Sequence, residues 1–168
     1  MKILIFFILL FQILHVNADE IYNLIKIPNV EIYKLKNNNN IRYLNAKGNF
    51  KIGVKKNINC DKVNIDNLNS KFSVIEKNFN LYNSDFLRKI KLKYVVFCEN
   101  LSVSGINTGG IPNIKNRTLI LDINFNQKYF ERMIRHEVFH MIQNSHNNIF
   151  DENKFSSFNK TSFNYAKC

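Results

Sequence analysis

Residues Arg117 to Gln143 read RTLILDINFNQKYFERMIRHEVFHMIQ, and a change of period inside this stretch decides the fold class. Arg117 to Ile123 (RTLILDI) is rich in β-branched residues and reads as a strand. From Gln127 to about Gln143, the apolar residues Phe130, Ile134, Val138 and Met141 recur at steps of four, four and three, which is the spacing of one helical face. Leu92 to Cys98 (LKYVVFC) is a second strand candidate. The segment between the two strands, Ser104 to Asn116, carries Gly105, Gly109, Gly110 and Pro112 and reads as a loop.

Upstream, Leu68, Phe72, Ile75 and Phe79 fall on another helical face. A short helix is expected after them, with Ser84 as N-cap and Phe86, Leu87 and Ile90 turned inward. Ile25, Ile27, Val30, Ile32 and Leu35 suggest strands, as do Phe50, Ile52 and Val54, which alternate with period two. The run Asn37 to Asn40 between them reads as a turn, because asparagine tolerates left-handed backbone. The order helix, strand, loop, strand, helix predicts an α+β domain: a small mixed β-sheet packed against helices, with the last helix near the C-terminus.

That last helix carries His136-Glu137-Val138-Phe139-His140. Residues four apart on a helix differ by about 40° around the axis and about 6 Å along it, so both imidazoles can reach one ion. Zinc suits them, since it takes nitrogen ligands at about 2.0–2.1 Å. Glu137 then stands where a general base belongs, beside a water whose pKa the ion lowers to about 7. With 4 histidines and 7 glutamates in 168 residues, random placement would produce this pattern in only about 0.4% of chains. Beyond residue 18, every histidine (His136, His140 and His146) falls in one eleven-residue window.

A catalytic zinc site needs a third protein ligand. His146 stands ten residues after His136, the spacing of the third histidine in the extended metzincin motif. Gln143 occupies the place of that motif's turning glycine, and no methionine follows Met141, although Asn144 could supply a left-handed turn. Asp151 and Glu152 are carboxylate alternatives in a segment that reads as loop.

The stretch from about Tyr82 to Tyr165 resembles secreted zinc-binding metallopeptidases of the gluzincin-like kind. In these, a strand-rich segment leads into HExxH, followed by an acidic patch and an aromatic tract close to Trp-x-x-Leu-Asn-Pro-Pro-Gly-Phe-x-Tyr. Here the sequence runs HEVFHMI, then FDEN, then FSSFNKTSFNY. Phe155, Phe158, Asn159, Phe163 and Tyr165 match the tract by identity or kind, while Lys160, Thr161 and Ser162 replace its Pro-Pro-Gly. The resemblance implies a zincin-like fold, His136 and His140 as zinc ligands, Glu137 as catalytic base, and peptides or proteins as substrate. It also implies an acidic third ligand on a helix beyond the tract, whereas this sequence ends at Cys168. The expectation is therefore a domain incomplete at its C-terminus, a substitute ligand such as His146, or a weak metal site without chemistry. Substrate is expected to lie extended along an edge strand beside the helix, with Arg117 to Ile123 as the candidate.

The N-terminus sets the compartment. Lys2 precedes an apolar run from Ile3 to Leu14, broken only by Gln12, and Val16-Asn17-Ala18 supplies small residues for cleavage. Residues 1–18 read as a signal peptide, too short to span a bilayer, which leaves 19–168 as one secreted domain without a stable membrane anchor. In an oxidising compartment Cys60 and Cys98 can pair, and Cys168 stays unpaired or bonds between chains. Asn100, Asn116 and Asn159 lie in glycosylation sequons, although some are expected by chance among 29 asparagines.

The net charge of +11 and pI near 9.6 raise a polyanion-binding alternative. Secretion argues against nucleic acid, and the basic residues are scattered; the Arg88-to-Lys93 run reads as a solvated face. A non-catalytic member of the same fold, acting by binding a partner, is the other alternative.

Overall fold

The computed structural model describes residues 26–35 and 37–146, together with Asp151, Lys154 and Ser157. The signal segment 1–18, Glu152, Asn159, Cys168 and the aromatic residues Phe155, Phe158, Phe163 and Tyr165 lie outside the described residues. The strands are β1 (Val30–Lys34), β2 (Arg42–Ala46), β3 (Phe50–Ile52) and β4 (Ile58–Asp61), then β5 (Tyr94–Val103), β6 (Ile106–Asn107), β7 (Gly110–Asn113) and β8 (Thr118–Asp122). Among the described residues the bounded α-helices are α1 (Ile65–Phe79), α2 (Ser84–Lys89) and α3 (Phe130–Ser145). The chain is thus α+β with a mixed sheet, as the sequence predicts, but the described residues already give the sheet eight strands, so it is not small.

The long strand β5 organises the sheet by changing partners halfway. Its first half, Tyr94 to Cys98, lies between β2 and β8 and runs parallel to both. Parallel strands are usually covered on both faces, which is why YVVFC and TLILD are continuous apolar runs with no polar alternation. All five residues of each are buried. The second half pairs antiparallel with β4 and β6. The bend between the halves falls at Asn100, whose φ of 52° lies in the left-handed region. The buried Asp122 carboxylate secures it, accepting the N–H groups of Leu101 at 3.0 Å and Asn124 at 2.8 Å.

Strands β1 and β7 are antiparallel additions to β2 and β8. Gly110–Asn113 therefore forms a strand inside the segment expected to be loop. Pro112 is tolerated there because β7 pairs with β8 alone among the described residues, and proline is compatible with a sheet edge. For the same reason β8, the Arg117-to-Ile123 candidate for substrate pairing, is not an edge strand. Both of its sides are taken, by β5 and β7.

Helices α1 and α3 pack together. Leu68, Phe72, Ile75 and Phe79 form the buried face of α1, as their spacing predicts, and Phe72 meets the Tyr43 ring edge-on at 5.1 Å. Asn64 caps α1 by accepting the Asn67 N–H. In α2 the N-cap is Asn83, one residue before the expected Ser84, because the Asn83 side chain reaches the Phe86 N–H at 2.8 Å. Arg135 of α3 donates to Asn78 of α1 at 2.8 Å, and Lys71 of α1 donates to the Ile123 carbonyl at the end of β8. These bonds fix the angle at which α3 leaves the sheet.

A disulfide joins Cys60 on β4 to Cys98 on β5, closing a separation of 38 residues. Loop closure of that length limits the unfolded chain by an entropy worth about 2–4 kcal/mol. Reduction, or paired Cys60→Ala and Cys98→Ala substitution, is expected to lower unfolding free energy by about that amount in urea titrations. An unchanged midpoint would show that the bridge adds nothing beyond the sheet.

Candidate metal centre

The motif helix begins later than its periodicity suggests and ends later. Gln127–Tyr129 forms a 3-10 turn entered through a left-handed Asn126, and α3 proper runs from Phe130 to Ser145. Val138 and Met141 are fully buried and press one side of the helix onto the sheet, which turns residues 132, 136 and 140 away from it.

His136 and His140 converge. Their Nε2 atoms lie 3.0 Å apart, with the ring planes nearly perpendicular at 83°. Two nitrogens on one tetrahedral zinc, each at about 2.0–2.1 Å, would stand about 3.3 Å apart, so the pair already has close to the right bite. Burial, and then the positive charge of a protonated His140, hold the His136 pKa below the usual histidine value. His136 therefore stays neutral, as a ligand must be, to lower pH than a free imidazole.

Glu137 lies on the flank of the helix next to β7. It is 5% exposed, and its carboxyl has no hydrogen-bond partner among the described residues. A Cβ built on Gly110 would come within 2.8 Å of the Glu137 carboxyl carbon, and one on Gly109 within 2.7 Å of Met133 Cγ. The two glycines are what let the helix approach β7 closely enough to bury the acid. Desolvation pushes its pKa up to about 7. The carboxyl borders a cleft of about 430 Å³, whose wall also includes Thr108, Gly109, Tyr129, Arg132 and His136.

His146 is not brought to the pair. The helix continues through Gln143, Asn144 and Ser145, so the left-handed turn expected at Asn144 is absent. His146 caps the helix, about 9 Å further along the axis than His140. Its Nδ1 lies 2.8 Å from Ser145 Oγ. Asp151 is exposed and accepts the Lys154 N–H at 2.9 Å. Among the described residues no three His, Cys, Asp or Glu side chains gather to hold an ion.

Sequence reading missed Gly109 and Gly110, which it assigned to a loop, and Arg132. The signal for the glycines was their adjacency just ahead of a short apolar segment. The chain matches no family model, no curated protein and no solved structure.

The buried acid should leave its mark on stability. Its folded pKa is raised, so the folded state holds the proton more tightly, and stability falls as pH rises from about 4.5 to about 7. Glu137→Gln removes that loss. In the metal-free protein the variant is expected to be more stable than wild type by a few kcal/mol at pH 8 and about equal at pH 4. Equal stability at both pH values would mean the carboxyl is solvated.

Proposed function

We propose that the chain is a secreted, zinc-dependent peptidase with a zincin-like fold. The observation that carries this reading is the convergence of the His136 and His140 Nε2 atoms, 3.0 Å apart, beside a buried carboxylate that borders a cleft. The signal-like residues 1–18 and the Cys60–Cys98 disulfide support an extracellular setting.

His136 and His140 would hold the ion, which when bound acts as a Lewis acid on the peptide carbonyl and lowers the pKa of water. Glu137 takes the proton from the attacking water and delivers it to the departing amine nitrogen. The outer edge of β7 has no partner among the described residues and could receive an extended peptide by strand addition next to the helix.

A non-catalytic binding protein of the same fold is the second reading, favoured by the lack of a third ligand among the described residues. The two readings separate in one experiment. Mature protein is incubated with one equivalent of zinc and an unstructured peptide, and products are followed by mass spectrometry. The peptidase reading expects cleavage that falls at least about 100-fold in Glu137→Gln while bound zinc is unchanged, and expects His136→Ala to lose the zinc. Cleavage surviving in Glu137→Gln would overturn the role of the acid. Absence of both zinc binding and cleavage in the wild type would leave the binding-protein reading.

A further inference from the structure

The cleft beside the histidines has an unusual charge distribution. Among the described residues, the only ionisable basic or carboxylic side chain on its wall besides His136 and Glu137 is Arg132, accompanied by neutral Asn107, Thr108, Asn126 and Tyr129. Arg132 lies one turn before His136 on the same face of α3. The nearest acid on the helix, Glu131, is already paired with Arg135 at 3.0 Å. Among the described residues, no carboxylate pairs with Arg132.

We propose that this cleft is a subsite for a carboxylate group of the bound peptide, with Arg132 as the specificity-determining residue. The inference rests on the peptidase reading only in treating the ligand as a peptide. A guanidinium presents two parallel N–H donors that match a carboxylate and keeps its charge at every working pH. The surrounding amide and hydroxyl groups can complete the hydrogen bonding. Arg132 and His136 are separated by about 6 Å of helix rise, close to two residues of an extended peptide at about 3.3 Å each. The recognised carboxylate therefore falls within two residues of the bond facing His136 and Glu137. It belongs either to an acidic side chain or to the chain terminus.

The test uses dansylated penta-alanine with a free C-terminus, its C-terminal amide, and the amide carrying glutamate or glutamine at each position in turn. Binding to the metal-free protein is read by fluorescence anisotropy at fixed salt, so that no catalytic step enters. Carboxylate-bearing peptides are expected to bind at least about tenfold more tightly than their neutral counterparts. The advantage should vanish in Arg132→Gln, survive in part in Arg132→Lys, and remain in Lys55→Gln, which makes the same charge change on the β3–β4 connection. Preference for the free terminus alone identifies an end-recognising site, and preference for internal glutamate a side-chain subsite. Equal binding of charged and neutral peptides overturns the proposal, as does an advantage that persists in Arg132→Gln or disappears equally in Lys55→Gln. Carboxylate-dependent binding without zinc-dependent cleavage would sink the peptidase reading and leave the subsite standing.

Discussion

Helix α3 lies so close to strand β7 that neither Gly109 nor Gly110 has room for a Cβ atom. Everything distinctive about the site depends on that approach. It removes water from Glu137, raises its pKa toward neutrality, and leaves the His136 and His140 face turned away from the sheet. The approach is itself held from below. Val138 and Met141 are buried, Arg135 bonds to Asn78, and Lys71 ties α1 to the end of β8 just before the helix begins.

The arrangement has a thermodynamic cost at a recognisable place. A carboxyl without a hydrogen-bond partner in a nearly closed position works against folding once it ionises. Most buried polar groups here are satisfied, as Asp122 is by two backbone N–H groups that hold the bend in β5. Glu137 and Asp122 thus form an instructive pair. Both are buried acids with raised pKa values, but Asp122 is bonded into the sheet and Glu137 opens onto a cleft. The first has a structural explanation, and the second calls for a functional one.

Much of this was legible in the sequence because it rests on short-range periodicity. The helical faces of α1 and α3 follow from spacings of three and four, and the buried centre of the sheet from two continuous apolar runs. The two imidazoles four residues apart needed only helix geometry. What escaped depends on long-range pairing. Gly110 and Pro112 are loop signals locally, yet β8 supplies the partner that makes them a strand, and the edge position makes proline acceptable. His146 was ambiguous because one residue's backbone state, at Asn144, decides whether the chain turns back or continues. The helix continues. Arg132 became visible as a candidate recognition group only once the cleft wall was assembled from the end of β6, the connection that follows it, the 125–129 segment and the first half of α3.

The central claim is that His136 and His140 together form a zinc-binding pair. X-ray absorption spectroscopy at the zinc edge, on mature protein loaded with one equivalent of zinc, tests it most directly. Two imidazole nitrogens per zinc at about 2.0–2.1 Å are expected, with that scattering lost in the His136→Ala, His140→Ala double variant. A zinc shell made of oxygen alone, or imidazole scattering that persists in the double variant, would contradict it.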